Sequence, residues 1–149
     1  MRTKRPDAKW RNLLNERGFT RNYPFENKSL EPLKKKLLNM GGWAVVLPFK
    51  ENDLEEILER GIRLHGKSTL KMGEPCRCHS NSANLWHESK GKYRICTGYA
   101  LSLDGVWRQH TWCIEKKNNK IIETTEKRIK YFGYVLSLVE SAVFLEMNI

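Results

Sequence analysis

No apolar run in this sequence approaches the roughly 20 residues needed to cross hydrocarbon, which excludes a transmembrane helix. No apolar stretch follows the basic opening Met1-Arg-Thr-Lys-Arg-Pro6 either, as a secretory signal would require, so the chain is expected in the cytoplasm and away from membranes. Cysteine is scarce, with Cys76, Cys78, Cys96 and Cys113 alone. In a reducing compartment such thiols are expected to be free, metal-bound or catalytic rather than paired in disulfides. There is no internal repeat, low-complexity tract, zinc finger, RRM signature or Gly-rich phosphate loop. Acid is also in short supply, with 17 Asp+Glu against 27 Lys+Arg and a net charge of +10. Positions 1–50 hold 12 basic and 4 acidic residues, whereas the remainder holds 15 and 13, so the excess lies near the N-terminus. Such a segment is either a solvated face or an attractor of phosphate, nucleic acid or an acidic partner.

What is present is material for a core. Five Trp, five Tyr and five Phe within a 40% hydrophobic composition exclude general disorder and suit one domain over 1–149. Within it, 1–50 reads as a basic helical segment and 66–149 as the candidate catalytic core. Asp7 caps a predicted helix with Trp10, Leu13 and Leu14 on one side and Gly18 past its end. A second begins near Ser29, aligns Leu30, Leu33, Leu37 and Leu38, leaves Lys34, Lys35 and Lys36 mostly off that stripe, and stops at Gly41-Gly42. Residues 43–47 read as a short buried strand, and Asn52 with Glu55 as a capping-box start to a helix ending at Gly61. A loop is predicted over 66–77 and a helix over 78–88. Strands follow at 93–103, 106–115, 120–125 and 131–136, with a closing helix at 137–147. Asp104-Gly105 signals a type I′ hairpin turn. Helices first and then an antiparallel meander predict an α+β fold rather than a doubly wound sheet.

Chemistry concentrates in the second half. Cys78 falls in the first turn of its helix, on the side that carries Leu85 and Trp86, so its thiol is directed toward the core near free backbone N–H groups. Such a position stabilises a thiolate and can hold an oxyanion. On the strand 106–115, period two puts Val106, Arg108, His110, Trp112 and Ile114 on one face. A four-residue turn at 116–119 would set Glu115 opposite Lys120 and Trp112 opposite Glu123, leaving His110 diagonal to Glu123. Cys78 as nucleophile, His110 as base and Glu123 as the group that orients the imidazole then form a triad, with Trp112 shielding the His–Glu pair from water.

The segment His110-Thr-Trp-Cys-Ile-Glu115, followed by a turn and Ile121-Ile-Glu-Thr-Thr125, resembles the core of the transglutaminase-like and papain-like cysteine enzymes. In that superfamily His-x-Trp on one strand precedes an Asp-x-Thr-like element on the next, and the cysteine heads an upstream helix. The likeness covers about 78–134, with Glu where the pattern usually has Asp. There is no aromatic residue beside Cys78 and no evident upstream Gln or Asn for an oxyanion hole. It implies a papain-like or transglutaminase-like core in which a thiol attacks an amide or ester carbonyl. The resulting acyl-enzyme is resolved by water or an amine, without cofactor or metal. The substrate is then an acyl or amide compound, which the basic charge would favour as acidic. Rival readings use the same residues. Cys76-Arg-Cys78-His79 could be half of a zinc site completed by Cys96, Cys113 or His87, or Cys76 could be the reactive thiol. Alternatively, the basic N-terminal segment could make the chain a nucleic-acid-binding module. Cys96 and Cys113 read by default as buried apolar thiols, and His65 and His87 as exposed or capping residues.

Overall fold

The longest alternating runs in the sequence form the centre of the sheet. In the computed structural model, which describes residues 28–65 and 67–148, seven strands and four α-helices make an α+β fold. The predicted helix around Trp10 lies outside the described residues. The helices are α1 (Glu31–Met40), α2 (Leu54–Arg60), α3 (Cys78–Glu88) and α4 (Leu138–Met147). The strands are β1 (Ala44–Val45), β2 (Ile62–His65), β3 (Thr69–Leu70), β4 (Tyr93–Leu101), β5 (Val106–Glu115), β6 (Ile121–Glu123) and β7 (Lys130–Val135). They assemble in the order β2-β7-β4-β5-β6-β3, with β1 added parallel to β5.

Both faces of the central strands are covered, so β4 and β5 are buried almost throughout, polar His110 and Thr111 included. On one face Tyr93, Ile95, Tyr99, Trp107, Cys113, Ile122 and Phe132 pack with Leu33, Leu37 and Ile57 from the helices. On the other, Cys96, Ala100, Trp112, Ile114, Ile121 and Tyr131 form a second cluster flanked by Leu64 and Val135. Full burial of side chains such as Leu33 and Phe132 contributes about 1.5–3 kcal/mol each. Leu30, Leu33 and Leu37 are the buried stripe of the second predicted helix, whose first turn, Lys28–Leu30, is 3₁₀. Pro32 in the first turn of α1 sits where no intrahelical N–H is needed.

Tertiary contacts override local expectation at four places. The sheet is mixed and is not a simple meander: β7 returns across the molecule to pair with β4, and both β1 and β3 run parallel to their neighbours. β3 falls inside the predicted loop 66–77, and β2, exposed along most of its length, forms by pairing with β7 rather than from its own pattern. The Asn52–Glu55 capping box does not form. The N-cap is Asp53, which makes no side-chain cap bond and lies near Tyr134. At the β4–β5 hairpin, Gly105 has φ 83° while Asp104 does not have positive φ. Gly105 N–H donates to Ser102 O (2.9 Å) and Ser102 N–H to Val106 O (3.0 Å). The link is thus a three-residue loop closed by a left-handed glycine, not a type I′ turn.

Candidate active site

The β5–β6 turn sets the site. Cys113 pairs with Ile122 and Ile114 with Ile121, while Glu115 N–H donates to Lys120 O at 2.8 Å. This is the register that a four-residue turn predicts, and it puts Glu123 on the His110 face. Asn119 closes the turn at φ 58°, a conformation asparagine tolerates.

His110 is 2% exposed and Glu123 0%. His110 Nε2 donates to both carboxylate oxygens, at 2.9 Å and 2.8 Å. Glu123 also accepts from Tyr131 Oη (2.8 Å), from the backbone N–H groups of Thr124 (3.0 Å) and Thr125 (3.2 Å), and from Thr125 Oγ1 (3.2 Å). Burial pushes the Glu123 carboxyl up, but the donors led by His110 prevail and hold it below the usual carboxylate range. Trp112 is fully buried and nearly parallel to the His110 ring, 6.1 Å between centroids, and Tyr131 lies 4.8 Å from Trp112. The pair is therefore walled from solvent by aromatic rings.

Because Nε2 is held by Glu123, Nδ1 is the His110 nitrogen left for the thiol. Cys78 begins α3, is half-buried, and stands beside the His110 ring and the Thr111 backbone N–H. Burial raises the thiol, yet His110 and the Thr111 N–H lower it more, to a net value below that of an ordinary cysteine. For His110 the balance is opposite in sign: burial lowers it, while Cys78 and Glu123 raise it further. Both shifts favour a thiolate–imidazolium pair. The buried thiols shift the other way. Burial pushes Cys113 up to about 12 and Cys96 higher still. α3 is locked over β5 by Ser82 Oγ donating to Thr111 O (3.3 Å), Cys113 Sγ donating to Ser82 O (3.5 Å), and a His79 Nδ1–Thr111 Oγ1 contact of 2.5 Å.

The structure thus brings Cys78, His110 and Glu123 together, with Trp112 beside them. Cys76 is exposed in the turn before α3, and His65 and His87 are exposed. Among the described residues no three His, Cys, Asp or Glu side chains gather as a metal site, and the zinc reading finds no ligand set there. Sequence reasoning missed Tyr131, Thr125 and the Thr111 N–H. Tyr131 was legible as a strand residue, but no local signal could show that its strand returns beside β4. A second polar cluster was also missed. Glu51 Oε2 accepts from Tyr99 Oη and Gln109 Nε2, both at 2.6 Å. Comparison of the chain with protein-family models, curated proteins and solved structures finds no match.

Proposed function

We propose that the chain is a cysteine-dependent hydrolase or acyltransferase acting on an amide or ester bond, built on a papain-like or transglutaminase-like core. The observation that carries this reading is the wholly buried Glu123 bonded through both oxygens to His110, whose ring also stands beside a thiol at a helix start. A structural ion pair has no need of a half-buried thiol as its third member.

In the proposed reaction His110 takes the Cys78 proton, and the thiolate sulfur attacks the carbonyl carbon. The carbonyl π-electrons move onto oxygen, and the oxyanion faces the N–H groups of the first turn of α3, which have no intrahelical acceptor. The oxyanion collapses, the bond to the leaving group breaks, and imidazolium Nδ1–H protonates the departing amine or alkoxide. A thioester on Cys78 remains. Water or an amine then attacks it, gives its proton to His110, and releases the sulfur. Glu123 keeps the imidazole in the tautomer and orientation these transfers need, and it stabilises the imidazolium.

Thiol labelling and acylation test the reading together. Near pH 6, where a thiol of pKa about 8.5 is almost wholly protonated, iodoacetamide should modify Cys78 at least about tenfold faster than Cys76, Cys96 or Cys113. An activated ester should leave an acyl group on Cys78, detectable by mass spectrometry, and His110→Ala should abolish both. Uniform labelling, or faster labelling of Cys76, would refute the assignment.

A further inference from the structure

A second thiol stands two residues before the proposed nucleophile. Cys76 is exposed and adopts φ 59°, a left-handed conformation that glycine or asparagine would hold with less strain. Turn chemistry therefore gives no reason for cysteine at this position. Between the two cysteines, Arg77 has φ −120° and ψ 41°. That bend keeps the Cα atoms of Cys76 and Cys78 roughly 5.5–6 Å apart, inside the disulfide window of about 4.4–6.8 Å. The turn is also anchored beside the helix. Asn81 on α3 donates from Nδ2 to Glu74 O (2.8 Å) and accepts from Glu74 N–H (3.1 Å), and Arg77 pairs with Glu74 at 2.7 Å. Gly73 N–H donates to Thr124 O at 2.8 Å, tying the same turn to the end of β6. An exposed thiol is thus fixed next to a reactive one, while Cys96 and Cys113 are buried in the core.

We propose that Cys76 is a resolving thiol, and that a hydroperoxide converts Cys76 and Cys78 into an intrachain disulfide that reversibly blocks the nucleophile. The inference rests on the reading of Cys78 as an activated thiolate. In the first step the Cys78 sulfur attacks one oxygen of hydrogen peroxide. An S–O bond forms, the O–O bond breaks, and the departing hydroxide takes a proton and leaves as water. In the second step the Cys76 sulfur attacks the Cys78 sulfur. The S–S bond forms, the S–O bond breaks, and hydroxide leaves as a second water with the proton from the Cys76 thiol. Two thiols have then lost two electrons and two protons, and one peroxide has become two waters. A dithiol reductant restores both cysteines by exchange.

The experiment treats the full chain with about a threefold molar excess of hydrogen peroxide, labels the remaining thiols with iodoacetamide, and digests with a protease that spares the bond after Arg77. Mass spectrometry should find Cys76 and Cys78 in one unlabelled peptide short of two hydrogens. Labelling of Cys78 should fall about tenfold or more and return after dithiothreitol. Cys76→Ser should label normally at Cys78 before oxidation. After peroxide it should carry two added oxygens there, which dithiothreitol does not remove. Wild-type chain that accumulates this sulfinic acid while Cys76 stays free, or that forms Cys76-linked dimers, would overturn the proposal and leave the cysteine-enzyme reading standing. A Cys78 inert to both peroxide and pH 6 iodoacetamide would overturn both.

Discussion

Glu123 holds a charge where no water reaches it. An isolated buried carboxylate would take up a proton, so its lowered pKa depends on the donors from His110, Tyr131, Thr124 and Thr125. Hydrogen bonds to a charged group contribute about 1.5–3 kcal/mol each, so Tyr131→Phe should cost roughly that, read as a shift in the urea midpoint. Glu123→Gln should cost more, because its amide N–H groups would confront the donors that now converge there. It should also slow Cys78 labelling at pH 6 while the chain stays folded. The pH signs differ among the three groups. Glu123 is depressed, so its contribution is full above the unfolded value of about 4.3 and is lost as pH falls through the lower folded value. His110 is raised, so its contribution is full below about 6.5 and is lost as pH rises through the higher folded value. Cys78 is depressed, and its contribution, full above about 8.5, is lost as pH falls through its lowered value. Cys78 and His110 titrate as one pair, and labelling should set in well below the pH at which an ordinary thiol ionises. A labelling profile that follows an ordinary thiol across this range would contradict the pairing.

At the scale of the element, the β5–β6 turn converts chain length into chemistry. One residue inserted after Asn118 should move Glu123 to the opposite face, leave His110 without its carboxylate, and return Cys78 labelling at pH 6 to that of an ordinary thiol. Two inserted residues preserve parity and should keep fast labelling. Equal loss in both variants, with the fold intact by circular dichroism, would show that parity is not what aligns the pair. α4 shows the same dependence on local pattern. Ser137 Oγ accepts from Glu140 N–H (3.1 Å), and the Glu140 carboxylate accepts from Ser137 N–H (2.8 Å), a capping box readable from Ser-x-x-Glu. Tertiary structure adds the Arg60 pair, with both guanidinium contacts at 2.9 Å.

Across the whole molecule, the site depends on how closely three strands approach one another. Gly98 on β4 lies between His110 on β5 and Gly133 on β7. A Cβ on Gly133 would stand 2.3 Å from Thr97 O and 2.7 Å from Trp112 Cη2. Backbone cannot yield as a side-chain tip does. Gly133→Ala should therefore cost about 2–3 kcal/mol, or roughly 5–10 °C in Tm. A melting temperature within a degree or so of wild type would show that β4 and β7 can separate freely.

The sequence by itself determined what short-range periodicity encodes. Period 3.6 and the glycines mark α1, the span 78–88 matches α3, period two puts His110 and Trp112 on one face of β5, and a four-residue turn fixes the parity of Glu123. These features depend on neighbours within a few residues, whose geometry is set by backbone sterics. Only the tertiary structure decided that β7 returns to β4 and delivers Tyr131 to Glu123. It alone placed β2 and β3 on partners distant in the chain, left Asp53 without a cap bond on α2, and brought Cys78 beside His110 and Thr111. Those outcomes compare the free energies of alternative long-range pairings, in which burial and satisfied hydrogen bonds outweigh the local preference of any one segment.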